Sequence, residues 1–310
     1  MTNRSAKFAS LPRKALLLGG NGFLGRNLVR ALEAEGVSVR IYDRGHHAQA
    51  RDQDIVGDFA TGQRLLEALT GVDVVFHLIS TTIPSTSDAD PTFDVTSNLV
   101  GTLRLLEVME TAGVHRIVFL SSGGTVYGNP RVLPVPETAP LEPICSYGVV
   151  KAGIENYLRI GAKLHGVHAT ALRLANPYGP GETRIGVHGV IATFFARVAA
   201  EEEIVIWGDG SVVRDYIHVD DAIGAMLTAA TLDGFNLYNV GSGEGHSLTE
   251  ILDIVQRISG KKAKVSFRPA RAFDVQEIYL DIARITGETD WTPRIALEQG
   301  CALLWAAMKH

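Results

Sequence analysis

A tyrosine and a lysine four residues apart, Tyr147 and Lys151, are the side chains best suited to chemistry in this sequence. They follow Pro143 in a segment that predicts a helix, and at that spacing both lie on one face, one turn apart. An ammonium group beside a phenol stabilises the phenolate, so such a tyrosine can take up or release a proton near neutral pH. The same spacing is common on helices without function, so the interpretation depends on the motifs that precede the pair.

A glycine-rich stretch near the start of the chain predicts a nucleotide site. An apolar run at 15–18 is followed by Gly19, Gly22 and Gly25, and apolar residues then recur at helical spacing from Leu24. A strand, a turn and a helix in this order leave backbone N–H groups bare at the helix N-terminus, where they can hold a pyrophosphate. We expect Phe23 and Leu24, between the last two glycines, to lie at the same ligand.

An acid about 20 residues beyond the glycines strengthens this interpretation. Asp43 ends an alternating segment that begins at Val37, where a dinucleotide fold places the carboxylate that binds the adenosine ribose hydroxyls. A carboxylate there would repel a 2′-phosphate, so Asp43 favours NAD, while Arg44 beside it leaves NADP open. Together the glycines and the acid predict dinucleotide binding.

Composition excludes several classes of function. The 310 residues are 46% hydrophobic and 20% charged, as in an ordinary globular protein, and the net charge of −5 predicts no nucleic-acid partner. Two cysteines are too few for a disulfide framework and no Cys/His spacing fits zinc, so we expect a cytoplasmic protein without a metal. No signal peptide is predicted, and no run approaches the roughly 20 apolar residues of a membrane span, so no membrane partner is expected.

Apolar strands and amphipathic helices alternate along the chain, which predicts an α/β fold with a doubly wound parallel sheet. The strongly apolar segment 72–79 is typical of a buried parallel strand. Residues 92–111 predict one long amphipathic helix. Its apolar face would consist of Val95, Leu99, Leu103, Leu106 and Met109.

In this order the motifs resemble the extended short-chain dehydrogenase/reductase family, and within it the NAD-dependent epimerases and dehydratases of nucleotide sugars. The resemblance covers nearly the whole chain and rests on Gly19, Gly22, Gly25, Asp43, Asp58, His77, Asn98, the segment 121–128, Tyr147 and Lys151. It implies a Rossmann NAD-binding domain over residues 1–176 with a returning segment at about 212–242. A smaller α/β region that binds the nucleotide sugar would occupy residues 177–310.

The resemblance also implies roles for individual residues around the cofactor. Tyr147 would exchange a proton with the sugar hydroxyl, and Lys151 would hold the nicotinamide ribose and lower the pKa of the tyrosine. Asp58 and Phe59 would lie by the adenine, and Asn98 would support the cofactor cleft. The other residues assigned to the cofactor lie at the ends of two predicted strands and are Leu78, Ile79, Ser80 and Ser121.

Motifs in the C-terminal half resemble the family's nucleotide-sugar ligands. Arg214 matches an arginine that grips the diphosphate and Arg271 matches a second one, because a guanidinium binds phosphate in a bidentate geometry. Asp274, three residues later, would bind the nucleotide ribose. The remaining substrate residues implied are Thr82, Asn176, Val190 and Trp207. Apart from the resemblance, each arginine would be a surface charge and Trp207 a core residue.

One position departs from the family pattern. The family usually carries a catalytic serine or threonine four residues before the tyrosine of Val-Tyr-Gly, and this chain has Gly123 there. Either Ser122 or Thr125 supplies the hydrogen bond, or a loop hydroxyl of Thr81 or Thr82 does, or the step proceeds without it.

The resemblance implies an NAD-dependent UDP-hexose 4-epimerase. Related dehydratases and decarboxylases carry acids where this chain has Gly124 and Thr125, so elimination has no evident base. Tyr147 would take the 4-hydroxyl proton as hydride passes to NAD, and hydride would return to the other face of a transient 4-keto sugar. The alternatives are a nucleotide-sugar 4-ketoreductase or dehydrogenase, and a non-catalytic NAD(P)-binding regulator. A UDP-sugar is the expected partner, and a homodimer through the 92–111 and 147–160 helices is the family expectation.

Overall fold

The computed structural model describes residues 11–45, 51–182, 189–269 and 275–309. In chain order, the strands are β1 (Lys14–Leu18), β2 (Ser38–Asp43), β3 (Ile55–Val56), β4 (Val74–His77), β5 (Arg116–Ser122), β6 (His168–Leu174), β7 (Asn176–Tyr178), β8 (Glu203–Trp207), β9 (Val213–His218), β10 (Phe235–Val240), β11 (Gly245–Ser247), β12 (Lys264–Arg268) and β13 (Glu277–Ile278). The α-helices are α1 (Phe23–Ala34), α2 (Leu65–Leu69), α3 (Pro91–Asp94), α4 (Gly101–Ala112), α5 (Ser146–His165), α6 (Val190–Ala199), α7 (Val219–Ala229), α8 (Leu248–Ser259), α9 (Ala283–Glu288) and α10 (Leu297–Met308). A 3₁₀-helix spans Ser87–Ala89 and a π-helix spans Val95–Val100.

The chain divides into two compact units. The first contains the residues up to Val126, Pro143–Arg173 and Ile223–Tyr238, and the second contains Tyr127–Glu142, Leu174–Ala222 and the residues from Asn239 onward. Within the described ranges, no helix combines the length and the apolar character needed to cross a membrane.

A seven-stranded parallel sheet organises the first unit, in the order β10-β6-β5-β4-β1-β2-β3. The predicted doubly wound α/β fold is therefore confirmed. Leu18 of β1 pairs with Tyr42 of β2 on one side and with His77 of β4 on the other. The strand order reverses beside β1, and in sheets of this kind ligands bind at the carboxyl ends of the strands at such a point.

Helices cover the sheet, and this burial explains why its strands are apolar. Residues 15–18 of β1 and 74–76 of β4 are fully buried. His77 ends β4 as a buried polar residue, and its Nε2 lies 2.9 Å from the Thr102 hydroxyl. Burial, helped by the charge of Lys151, lowers the pKa of His77 to about 3, so its ring is neutral.

The segment 92–111 differs from the single amphipathic helix that was predicted. It begins inside α3, widens into the π-helix and continues as α4. The predicted apolar face was wrong at Val95, which is 37% exposed, whereas the polar Asp94 and Asn98 are 0% and 5% exposed. A π-helical turn takes in one residue more than an α-turn, which changes the face that meets the sheet. Polar side chains fill that face because they hydrogen-bond one another in the interior.

The second unit is built on smaller sheets. In one sheet β9 pairs with β11, β13 and β7, and in another β8 pairs in parallel with β12. A separate hydrophobic core lies against α6, α8 and α10, with Ile191, Phe195, Ile251 and Leu304 among its buried residues.

Candidate active site

The turn between β1 and α1 has the form of an anion cradle. Gly19 has a φ of +85°, a left-handed conformation that favours glycine. Gly22 is the N-cap of α1, so no side chain caps the helix, and its first turn holds no acid. Phe23 and Leu24 occupy that first turn and are partly exposed. The backbone N–H groups at this end can therefore bind a phosphate group.

Gly25 is the position at which a side chain would damage the cradle most. A Cβ atom added there would lie 2.6 Å from the carbonyl oxygen of Gly19 and 2.6 Å from the Cα of Gly20. Both are backbone atoms of the turn itself, so the helix can approach the turn this closely only with glycine.

We expect Gly25→Ala to weaken NAD binding at least about tenfold and to lower the free energy of unfolding by about 1–3 kcal/mol, as overpacking does. Calorimetric titration with NAD and urea denaturation measure the two effects. Gly287→Ala is the matched control, because a Cβ at that helical glycine would meet nothing within 4 Å. An unchanged NAD affinity in Gly25→Ala would contradict the cradle.

Of the two predicted acids, Asp43 contacts this turn. The Asp43 carboxylate accepts hydrogen bonds from the N–H groups of Asn21, at 3.3 Å, and of Arg44, at 2.8 Å, which places it beside the glycine turn. Asp58 accepts from the N–H of Ala60 at 3.0 Å. The Phe59 ring is 2% exposed and packs edge-on against the ring of His77, so its side chain belongs to the core.

The residues after β4 adjoin the glycine turn across the sheet. A Cβ added to Gly19 would lie 3.1 Å from the Cγ1 atom of Ile79. Leu78 is partly buried and Ser80 is exposed. The structure thus brings together Gly19 and the predicted segment 78–80 at the point where the strand order reverses.

Tyr147 and Lys151 share one face of α5, as their spacing predicts. The Lys151 Nζ lies 5.4 Å from the centre of the Tyr147 ring and donates a 2.7 Å hydrogen bond to the Leu120 carbonyl of β5. Burial lowers the pKa of Lys151 to about 8, although the charges of Asp94 and Glu155 raise it. Burial, then the charges of Cys145 and Asp94, raise the pKa of Tyr147. Burial is thus the largest influence on the pKa of Tyr147, and it acts against the lowering that the resemblance implies for Lys151.

The three hydroxyl residues at the end of β5 have different surroundings. Ser121 is 5% exposed and donates a hydrogen bond to the Glu155 carboxylate. Ser122 is partly buried, and its carbonyl accepts from the N–H of Thr125 at 3.4 Å. The Thr125 hydroxyl is buried and has no hydrogen-bond partner among the described residues. A buried hydroxyl without a partner is costly, so it is a candidate ligand group.

A buried ion pair behind α5 was not predicted from the sequence. The guanidinium of Arg173 on β6 donates to both Glu155 oxygens, with an Nη2–Oε2 distance of 2.7 Å and an Nε–Oε1 distance of 3.0 Å. Glu155 lies one turn beyond Lys151 and raises the pKa of that lysine. The pair therefore links the catalytic helix to the sheet. The only sign of this pair in the sequence is that Glu155 lies at helical spacing from Lys151. Its partner, Arg173, is distant in the chain.

Asn98 lies in a polar network that also includes Asp94, which the sequence analysis did not single out. The Asn98 amide accepts from the N–H of Thr81 at 3.0 Å and donates to the Thr81 hydroxyl and to the Asp94 carboxylate, both at 2.8 Å. The Thr82 hydroxyl donates to Asp94 at 2.6 Å. The Thr82 hydroxyl is therefore already hydrogen-bonded within the chain, and the residue is 7% exposed. The sequence gives little sign of this role, because an acid is ordinary on the polar face of the amphipathic helix that was predicted for residues 92–111.

The predicted substrate residues that the structure describes all lie in the second unit, apart from Thr82. Asn176 on β7 pairs with Tyr216 of β9, two residues beyond Arg214, so both lie in one small sheet. Trp207 ends β8, is 37% exposed and lies under the Arg268 guanidinium at 5.5 Å from the ring centre. Val190 opens α6. The predicted residues Arg271 and Asp274 fall outside the described ranges.

No group of three or more His, Cys, Asp or Glu side chains suited to a metal ion occurs among the residues that the structure describes.

Comparison with known proteins relates this geometry to one family. The family model described as "NAD dependent epimerase/dehydratase family" matches residues 15–241. A UDP-glucose 4-epimerase of Mycolicibacterium smegmatis is 34% identical over 301 residues, which cover 93% of this chain and 96% of that protein. The structure of a Thermotoga maritima UDP-glucose 4-epimerase with UDP-glucose has a TM-score of 0.89 and 32% identity, and covers 96% of this chain and 98% of that one. That of Thermus thermophilus UDP-glucose 4-epimerase with NAD has a TM-score of 0.84 and 30% identity, over 96% and 99% of the two chains.

Proposed function

The chain belongs to the NAD-dependent epimerase/dehydratase family, and on that premise we propose that it is an NAD-dependent UDP-hexose 4-epimerase. The observation that carries the proposal is the Tyr147–Lys151 pair, held against the end of β5 in the unit that also contains the glycine cradle. This pair is the proton-transfer apparatus that oxidation and reduction of a sugar hydroxyl require. A regulator that only bound the cofactor would transfer no proton and would not require the Tyr147–Lys151 pair.

The residues of the first unit fit an NAD cofactor. The bare N–H groups at the start of α1 would hold the pyrophosphate, and the Asp43 carboxylate beside them would bind the adenosine ribose. Lys151 would bind the nicotinamide ribose. When bound, NAD supplies the hydride acceptor and donor that interconversion of the two C4 epimers needs.

Tyr147 would carry the proton of the reaction. Its phenolate oxygen takes the proton from the 4-hydroxyl of the sugar and later returns one to the oxygen of the 4-keto sugar. Because burial raises the pKa of Tyr147, the proton leaves readily only when positive charge lies nearby. The Leu120 carbonyl holds the ammonium of Lys151 close to the phenol, so Lys151 supplies part of this positive charge.

The second unit would bind the UDP moiety. Arg214 on β9 would grip the diphosphate, Asn176 on the neighbouring strand would bind a phosphate or the sugar, and Trp207 with Val190 would enclose the uracil. Their support is the placement of Asn176 and Arg214 on paired strands and the partial exposure of the Trp207 ring. Arg271 and Asp274 remain predictions from the sequence.

The test begins with mass spectrometry of the nucleotides released from the purified protein. The protein is then incubated with UDP-glucose, UDP-galactose and their N-acetyl forms. Retained NAD and interconversion of a 4-epimer pair, with no net oxidation or reduction, are the expected results. Stoichiometric consumption of added NAD(P)H would instead support the ketoreductase alternative. Cofactor binding without any turnover would support the regulator.

Thr125→Val is expected to separate catalysis from stability. The buried Thr125 hydroxyl makes no hydrogen bond among the described residues, so replacing it with a methyl group should leave the urea midpoint unchanged or raise it. If this hydroxyl serves in place of the missing one at Gly123, turnover should fall about 10²-fold, as when one oxyanion donor is removed. Ser122→Ala is the comparison variant. A loss of turnover in Ser122→Ala alone would assign the hydrogen bond to Ser122.

We also propose a homodimer in the cytoplasm. Apolar side chains are exposed near the start of α4 and along α5, the two helices that the family uses for self-association. They are Phe93, Val95, Val100, Val149, Ile160 and Leu164. Cys145 and Cys301 are both free thiols, which suits a reducing compartment. Light scattering of the purified protein tests the dimer.

A further inference from the structure

Asp94 is a fully buried carboxylate with hydrogen-bond partners on three segments of the first unit. Its Oδ1 accepts from the Thr82 hydroxyl at 2.6 Å and from the Asn98 amide at 2.8 Å, and its Oδ2 accepts from the Ser146 hydroxyl at 2.7 Å. All three partners donate, as an ionised carboxylate, which can only accept, requires. Asp94 therefore connects the loop after β4, the π-helix and the start of α5.

The contact with Ser146 bears directly on the catalytic helix. Ser146 is the first residue of α5 and immediately precedes Tyr147. The N-cap, Cys145, makes no side-chain capping hydrogen bond, so α5 lacks the usual local support for its first turn. Support comes from outside the helix instead: the Ser146 N–H donates to Asp88 at 2.8 Å and its hydroxyl donates to Asp94.

The negative charge of Asp94 acts on several ionisable groups nearby. On α5 these are Cys145, Tyr147 and Lys151, and the Asp94 charge raises the pKa of all three. Asp88 and Asp90, which precede Asp94 in the chain, are exposed, so solvent screens their charges. His77 of β4 is buried and neutral. Asp94 is thus a buried anion beside the tyrosine and lysine that move and stabilise the proton.

We propose that Asp94 is a positioning residue for proton transfer at Tyr147. It fixes the first turn of α5 to the loop after β4, and it places one buried negative charge beside the Tyr147–Lys151 pair. The hydrogen bonds set the position of the phenol, and the charge holds Lys151 in its ammonium form. The catalytic part of this inference rests on the proposed function, whereas the effect of the charge on Lys151 is independent of it.

Asp94→Asn isolates the charge from the geometry. Asparagine has nearly the same shape, and it can accept from Thr82 and donate to the Ser146 hydroxyl, so the three contacts can persist. Without the negative charge the pKa of Lys151 should fall by roughly one unit. The chain holds only eight lysines, so nuclear magnetic resonance of ¹³C-lysine-labelled, NAD-saturated protein can follow this titration, with Lys151→Met to assign the signal.

The same variant should change the pH dependence of turnover. The pKa of Tyr147 also falls when the charge is removed, so both the rising and the falling limb of the pH–rate profile should move to lower pH by roughly one unit. Ser146→Ala keeps the charge but breaks the contact. It should lower turnover about tenfold or more without moving either limb. Asp88→Asn is the matched control, because it removes an exposed charge at the same helix start and should leave both limbs in place.

The outcomes distinguish a failure of the role proposed for Asp94 from a failure of the proposed epimerase function. An unchanged Lys151 titration in Asp94→Asn would overturn the role of the charge, whatever the activity. A loss of turnover in Asp94→Asn with unmoved limbs and an unmoved Lys151 signal would reduce Asp94 to a structural residue. If wild-type protein failed to epimerise any UDP-hexose, the proposed function would fail, while a shifted Lys151 titration would still support the placement of the charge.

Discussion

Tyr147→Phe is expected to lower the rate of epimerisation by about 10²–10⁴-fold, the usual contribution of general acid–base catalysis, while NAD stays bound. The substitution removes only the phenolic oxygen. The ring keeps its place on α5, and the hydrogen bond from Lys151 to the Leu120 carbonyl does not involve the oxygen. The substitution also leaves the glycine turn before α1 and the Asp43 carboxylate unchanged, so cofactor binding should persist.

The measurement combines turnover of UDP-galactose with quantification of the NAD released from the same sample. Tyr157→Phe is the matched control: it makes the same change on the same helix at a residue that is 40% exposed. It should be as active as wild type. Turnover of Tyr147→Phe within a few-fold of wild type would remove the tyrosine from the mechanism. Loss of NAD together with turnover would mean that the phenol holds the cofactor.

Arg173→Met is expected to lower the free energy of unfolding by about 3–5 kcal/mol, the cost of leaving one charge of a buried pair without its partner. Arg173 and Glu155 are 2% and 4% exposed, so no water compensates Glu155 when the guanidinium is removed. Ser121 would remain as the hydrogen-bond donor to that carboxylate. Because Glu155 lies one turn from Lys151, the loss should also disturb the catalytic helix.

Urea denaturation followed by fluorescence measures this change. The control is Arg197→Met, which breaks the exposed pair between Arg197 and Glu202 and should cost no more than about 1 kcal/mol. The double variant Arg173→Met/Glu155→Leu should recover much of the loss, because it removes the buried charge as well. Equal and small effects of Arg173→Met and Arg197→Met would show that burial of the pair contributes little.

The sequence predicted the fold class because its signals are local. A buried strand, a glycine turn and an amphipathic helix each occupy a few consecutive residues, and their alternation specifies a doubly wound sheet. The placement of Tyr147 and Lys151 on one helical face could be predicted for the same reason.

What escaped the sequence analysis depends on contacts between distant residues. Asp94 interrupts an apolar pattern, and only the partners Thr82 and Ser146 show why a carboxylate lies in the interior there. The same holds for Glu155, whose partner Arg173 comes from another strand. Apolar periodicity identified the segment 92–111 as helical but misassigned its face at Val95, because hydrogen-bonded polar groups replaced apolar ones.

The π-helix at Val95–Val100 has a consequence for insertions and deletions in this family. It accommodates one extra residue between Asp94, which serves the catalytic helix, and Gly101, from which α4 packs its buried residues on the sheet. Loss of a single residue here would restore ordinary helical geometry, and the fold would tolerate it. The parts of the segment before and after the π-helix would keep their faces, because the widened turn only takes up the extra residue. A residue lost from α4 would instead rotate one part relative to the other by roughly 100°, because an α-helix turns through that angle at each residue. A chain shortened in α4 could therefore keep its architecture and lose its chemistry, so the position of a gap is a marker of activity that residue identity alone would not reveal.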